Sequence, residues 1–267
     1  MNMKGYALLV GVDEVNHVYY GENKKLCSSY TYTENIKALL NEGGYESIVS
    51  LNKEKTNWSN VVNELSYLIR TTNNDPGESY IFIYFSGHGA SIEVSYSSKR
   101  KQFLCFYDQL ILEDSIRDQL SRFNKRCKIF VVLDSCHADG VMDQKLALDS
   151  GQIKSMSEEF YFIYKLHQSV YDHTIDLYKD FSFEPNAEIF SLLACGENEE
   201  TTGGFTCKDL SYFTKVFCNN WYDQKPNENY LSLYNKLRQV TGGKAKHRMF
   251  PATGTTFFST TYPLIFK

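Results

Sequence analysis

Proline is scarce in this chain, five in 267 residues, and no tract is of low complexity. That composition argues against long disordered linkers. No stretch approaches the roughly 18 apolar residues of a membrane-spanning helix. The first apolar run, Tyr6 to Val12, ends at Asp13, too short for the core of a signal peptide and without a cleavage motif. No Cys-x-x-Cys occurs among the seven cysteines at 27, 105, 127, 136, 195, 207 and 218, so the spacing of a zinc site is missing. Charge of one sign is also missing as a block. The net charge is −4, with acids and bases interleaved, which speaks against nucleic acid and against an electrostatically held partner. No internal repeat is found. These absences leave a reduced-thiol protein expected in the cytoplasm, bound to neither membrane nor nucleic acid.

What is present is a set of short apolar runs separated by helical patterns. The length suits one α/β domain or two small ones, and a sizeable core. Tyr6 to Val12 reads as the first strand. Thr33 is placed to cap a helix through Ile36, Leu39 and Leu40 that stops at Gly43-Gly44. Ile48 to Leu51 is a short strand, and Thr56 or Asn57 caps a helix whose Trp58, Val61, Val62, Leu65, Leu68 and Ile69 share one face. Tyr80 to Phe85 and Lys128 to Leu133 are β-branched and aromatic runs of interior-strand type. Glu93 to Tyr107 reads as a ribbon, and Glu113-Asp114 as a helix start. Gly140, Gly151 and Pro185 punctuate a segment read as a mobile loop and then one long helix. Ala187 to Cys195 is another strand, Phe205 to Trp221 and Tyr230 to Val240 are helices, and an aromatic extended segment closes the chain. This alternation predicts a mainly parallel sheet covered on both faces.

Two residues leave the same predicted sheet edge. His88, in Ser86-Gly87-His88-Gly89, follows one interior run; Cys136, in Asp134-Ser135-Cys136-His137, follows another. Strand C-termini are where α/β sheets present their functional groups. An imidazole that takes a thiol's proton generates the reactive thiolate. Taken singly, a buried Cys is usually a small core hydrophobe and a His after a strand a structural group; together, at Gly-flanked strand ends, they form the pattern of a nucleophilic site. Gly87 and Gly89 permit a tight turn at the ring. The backbone N–H groups of Gly89 and Cys136 are candidates for an oxyanion hole. Asp134, two residues before Cys136, faces the same side of an extended segment and suits the floor of a pocket for a cationic side chain, the alternative being a loop-capping carboxylate. His137 points the other way and is read as structural.

Ser86-Gly87-His88-Gly89 with Asp134-Ser135-Cys136-His137-Ala138-Asp139-Gly140 resembles the caspase-like cysteine peptidases, most of all their metacaspase branch. The separation of His88 and Cys136, 48 residues, is similar to the caspase spacing of about 50. Weaker likenesses are the opening Tyr6 to Val12, Leu193-Ala194-Cys195-Gly196 with Glu199-Glu200, and Gly204-Phe205-Thr206, which resembles the start of a helix in the small-subunit region. The resemblance implies a three-layer α/β/α caspase–haemoglobinase sandwich in a single domain over 1–267. Residues 1–139 would be large-subunit-like, 140–186 a loop and helix, and 187–267 small-subunit-like. It implies cleavage of protein or peptide substrates after Arg or Lys through an acyl-thioenzyme, with Cys136 as nucleophile and His88 as acid/base. Ser86 and Asp134 would line the S1 pocket. The family's second S1 acid aligns with Tyr32, and a family cysteine with Ser29, so this chain would have one pocket carboxylate. No cofactor is required, but Glu113, Asp114 and Asp143 resemble part of the calcium-binding set that activates some metacaspases; a helix N-terminus favouring acids explains the first two equally. A monomer is expected. The alternative function is a caspase-like signalling or scaffold module with negligible turnover. A metal or redox protein using Cys136, His137 and His88 lacks the ligands.

Overall fold

A computed structural model of the chain describes residues 3–20, 29–94, 100–135, 156–195, 211–222, 228–250 and 257–261. Along the chain these form β1 (Lys4–Gly11), α1 (His17–Tyr20), α2 (Ser29–Glu42), β2 (Ser47–Asn52), a 3-10 turn (Lys53–Thr56), α3 (Trp58–Asn74) and β3 (Ser79–Ser86). There follow β4 (Gly89–Glu93), β5 (Arg100–Cys105), β6 (Leu110–Leu112), α4 (Glu113–Ser121), β7 (Cys127–Asp134), α5 (Met156–Leu166) and α6 (Gln168–Leu177). The last described elements are β8 (Glu188–Leu193), α7 (Tyr212–Tyr222), α8 (Tyr230–Val240), β9 (Lys246–Phe250) and α9 (Phe257–Thr260).

The apolar runs build one six-stranded sheet in the order β2-β1-β3-β7-β8-β9, parallel except for β9. All eight residues of β7 are buried, as continuous apolar strands of a doubly covered sheet must be. Alternation divides their side chains between two faces. Leu8, Val10, Ile81, Phe85, Ile129 and Val131 meet Val61, Leu65 and Leu68 of α3 and Leu120 of α4. Leu9, Phe82, Tyr84, Phe130 and Val132 meet Ile36 and Leu39 of α2, Phe213 and Phe217 of α7 and Leu233 of α8. The result is an α/β/α sandwich. A separate antiparallel sheet, β4-β5-β6, carries a third apolar cluster: Ala90, Ile92, Phe103 and Leu112 pack under Phe160 and Ile163 of α5 and Tyr171 and Ile175 of α6.

Three expectations change. Thr33 lies inside α2 and does not cap it; its hydroxyl donates to the Tyr30 carbonyl at 2.8 Å. The cap comes from Asp13, whose carboxylate accepts the Ser29 and Tyr30 N–H groups at 2.5 and 2.8 Å. The single long helix before β8 is two helices, broken at His167, whose ring stacks on Tyr19 at 4.2 Å. The closing segment contains the short helix α9 after β9. Of the two expected caps, Thr56 and Asn57, it is Asn57 that serves α3, accepting from the Asn60 N–H at 2.9 Å, a bond worth about 1 kcal/mol. The expected loop after Cys136, and residues 205–210 of the expected helix before Trp221, lie outside the described residues.

Candidate active site

The site is built where β1, β3, β7 and β8 end. In the β3–β7 register each residue pairs with the one 48 positions on, from Ser79 with Cys127 to Ser86 with Asp134. His88 is two residues past Ser86, and Cys136 is two residues past Asp134 in sequence; the 48-residue spacing of the motif is therefore the spacing of the strand register. Cys136, like His137 and Asp143, lies outside the described residues. Past the register the strands stay tied. The Gly87 N–H donates to the Asp134 carbonyl at 3.4 Å, Val12 N–H to the Ser86 carbonyl at 2.9 Å, and Ala194 N–H to the Leu133 carbonyl at 2.9 Å. Ser135 is fully buried and its hydroxyl finds no partner among the described residues.

His88 joins the main sheet to the ribbon. Its carbonyl accepts the Cys105 N–H at 2.9 Å, and its ring lies 5.8 Å from that of Phe160 on α5. The same bond makes Gly89 and Leu104 a non-hydrogen-bonded pair of the antiparallel ladder, so the Gly89 N–H is turned away from β5. Gly87 and Gly89 are not among the glycines with positive φ. Gly87 is needed for room instead: a Cβ there would lie 2.8 Å from Cζ of Phe85 and 3.2 Å from Cβ of Val12.

Asp134 is 4% exposed. Its Oδ2 accepts hydrogen bonds from the hydroxyls of Ser211 and Thr214 at the start of α7. Ser211 also caps that helix, accepting the Thr214 N–H at 2.9 Å, and Thr214 Oγ1 lies 2.7 Å from the Tyr84 hydroxyl. Burial pushes the Asp134 carboxyl above the usual carboxylate range, and the two hydroxyl bonds pull it partly back. Burial likewise pushes the neighbouring Cys218 thiol up to about 12, with the Asp134 charge adding to it. Sequence reasoning missed Ser211, Thr214 and Tyr84. The local signal was the Ser-x-x-Thr spacing ahead of an apolar run, and Phe213-Thr214 places a Phe-Thr pair in the first turn of a described helix, whereas Phe205-Thr206 lies outside the described residues.

The other expected site residues divide. Ser86 donates to the Ser29 hydroxyl at 3.3 Å, and Ser29 is held by Asp13. Tyr32, one turn on, is buried in the apolar cluster with Ile36 and Leu39. Glu113 and Asp114 are both buried. Asp114 Oδ2 meets Lys101 Nζ at 2.9 Å and Oδ1 meets Arg117 Nη1 at 2.9 Å, while Glu113 Oε2 accepts the Gln102 N–H at 2.5 Å. These oxygens already face two cations and a backbone donor, so as they stand they do not fit a calcium ion, which requires six to eight free oxygen ligands. Among the described residues no group of three His, Cys, Asp or Glu side chains is arranged for a metal, and no helix is long and apolar enough to cross a membrane.

Comparison with known proteins agrees with this fold. The structure is similar to protein GSU0716 from Geobacter sulfurreducens, with a TM-score of 0.79 at 18% identity over 97% of this chain and 98% of that one. It is also similar to caspase-1 from Spodoptera frugiperda, with a TM-score of 0.53 at 11% identity over 90% and 77%. At such identities the likeness is one of fold. No curated protein matches the chain. The family model for the caspase domain matches residues 4–255, nearly the whole chain, and the protein therefore belongs to the caspase-domain peptidase family.

Proposed function

We propose that the protein is a cysteine endopeptidase that cleaves after Arg or Lys, with Cys136 as nucleophile and His88 as acid/base. The observation that carries this reading is the shared register. His88 and Cys136 follow neighbouring parallel strands at equivalent positions, two residues past the Ser86–Asp134 pair, within a caspase-domain chain. His88 takes the thiol proton, the thiolate attacks the scissile carbonyl, and the amine leaves with a proton from the imidazolium, giving a thioester that water hydrolyses. The Gly89 N–H, turned away from the ribbon ladder, suits the developing oxyanion, together with that of Cys136. A buried Asp134 with no cationic partner among the described residues favours a substrate cation over an acidic or apolar side chain. Calcium is given no role, because Glu113 and Asp114 are engaged by Lys101 and Arg117.

Cys136→Ala is expected to abolish turnover of Arg and Lys peptides, and His88→Ala to reduce it by several orders of magnitude, since the two act as a unit. A positional-scanning peptide library on the purified protein, alongside labelling of thiols with an iodoacetamide probe, decides it. One hyper-reactive cysteine at 136 and Arg/Lys selectivity support the reading. Cleavage by Cys136→Ala would refute the dyad, and a protein without peptidase activity or a reactive Cys136 would be the scaffold module.

A further inference from the structure

We propose that Ser211 and Thr214, with Tyr84 behind Thr214, are positioning residues that hold Asp134 by Oδ2 and so aim Oδ1 at the cation of a basic substrate side chain. The proposal rests on the peptidase reading above and extends it to residues on a different element. It follows from counting protons. A serine hydroxyl has one proton to give. Ser211 Oγ already accepts the Thr214 N–H, so its proton is directed to Asp134 Oδ2. Thr214 Oγ1 lies 2.5 Å from the same oxygen and 2.7 Å from the Tyr84 hydroxyl. With Asp134 ionised, the Thr214 proton goes to Oδ2, and Tyr84 completes the chain by donating to Thr214. Tyr84, fully buried, has its phenol held well above its ordinary value by burial and then by the Asp134 charge, so it remains a donor throughout the working pH range.

Both bonds therefore fall on one carboxylate oxygen. No bond to Oδ1 is found among the described residues, and the titratable groups that feel Asp134 there are Tyr84 and Cys218, neither a cation. Ser211, Thr214 and Tyr84 are 2%, 0% and 0% exposed, so water does not substitute for a lost donor. An ionised carboxylate in such a place is costly without a cation. Hydroxyl donors fix its orientation and offset part of the cost; a guanidinium or ammonium supplies the rest and fits the unspent oxygen. Binding of the cation then drives a proton off Asp134, and affinity rises with pH through the Asp134 titration.

The test uses Thr214→Val, which keeps the shape and removes the hydroxyl, and Thr214→Ser, which restores it. The readouts are benzamidine affinity by calorimetry from pH 4 upward, the Asp134 carboxyl band in infrared difference spectra (assigned with Asp134→Asn), and the preference for Arg over Gln peptides. Loss of a hydrogen bond to a buried charge corresponds to about tenfold or more in affinity and about one pH unit or more in the titration. Thr214→Val is expected to weaken benzamidine by that factor, to move the Asp134 titration upward, and to lower the Arg-over-Gln preference; Thr214→Ser is expected to recover all three. Equal affinity and titration in wild type and Thr214→Val, or a Thr214→Ser protein as impaired as Thr214→Val, overturns the proposal. Should Thr214→Val fail to fold, Tyr84→Phe is expected to shift the titration in the same direction by less, and no shift overturns the proposal. A wild type that cleaves no peptide refutes the peptidase reading alone, since benzamidine binding and the infrared titration still decide the role of Thr214. Peptide cleavage without benzamidine binding refutes the positioning role and leaves the peptidase standing.

Discussion

At the scale of single residues, Gly87 has the least freedom to change. A methyl group there meets Phe85, itself buried and packed 5.3 Å from Phe106, and the Cβ of Val12. Gly87→Ala is expected to cost about 1–3 kcal/mol as an overpacking change, and to displace the adjoining His88. Urea unfolding and kcat/KM together check it, with loss of activity exceeding what the small unfolded fraction explains. The pairing of Asp134 with α7 could not be read from the sequence. Ser211 and Thr214 stand 77 and 80 positions away, and hydroxyl residues near a helix start are too common to single out. The motif residues stand out in the sequence itself, because glycine, histidine, aspartate and cysteine at strand ends have few bland explanations in combination.

At the scale of elements, α4 contributes a pH-dependent stability. Burial pushes Glu113 from its ordinary 4.5 up to about 8, against the opposing pull of Arg117 and Lys101. The folded state then holds the Glu113 proton more tightly than the unfolded chain, so stability falls as pH rises from about 4.5 to about 8. Glu113→Gln keeps an acceptor for the Gln102 N–H and has nothing to ionise. Between pH 5 and 8 the wild type is expected to lose at least about 1 kcal/mol more than the variant, the equivalent of one pKa unit; parallel pH dependences in urea titrations would contradict this. Strands and amphipathic helices such as α3 and α8 were readable because period and burial coincide. Two helix features were not: the Asp13 cap of α2 crosses from the end of another strand, and the break at His167 answers to Tyr19, distant in sequence, without any glycine or proline to announce it.

At the scale of the whole molecule, the expected event is self-cleavage. The segment from Gly140 to Ser155, outside the described residues, carries Lys145 and Lys154 after the proposed nucleophile, a suitable target for a peptidase of basic preference. Incubated side by side, wild type and Cys136→Ala are expected to differ by new termini after one or both lysines, read by intact mass. Identical masses would mean that the chain acts without self-processing.

The junction at His88 has a further consequence. His88 is fastened to the ribbon through its carbonyl, which accepts the Cys105 N–H, and its ring lies beside Phe160 of α5, whereas Asp134 is anchored in the central sheet and α7. One face of the ribbon shares an apolar cluster with its two helices alone, while Leu104, Phe106 and Ile111 on the other face pack on the main sheet; the opening expected first is at that shared seam. Trp221 belongs elsewhere, against the α7 face of the sheet, whereas Trp58 touches the β5–β6 turn of the ribbon, its ring 5.2 Å from Phe106 and its backbone N–H donating to Asp108 at 3.0 Å. In a Trp58→Phe protein, whose one indole is Trp221, heating is therefore expected to extinguish peptidase activity several degrees before fluorescence changes. Hydrogen exchange should be fastest in β4 and β5 over that interval: the base swings away with its mounting while the remaining indole still records an intact sandwich. Coincident loss of activity and fluorescence would show that ribbon and sandwich melt as one.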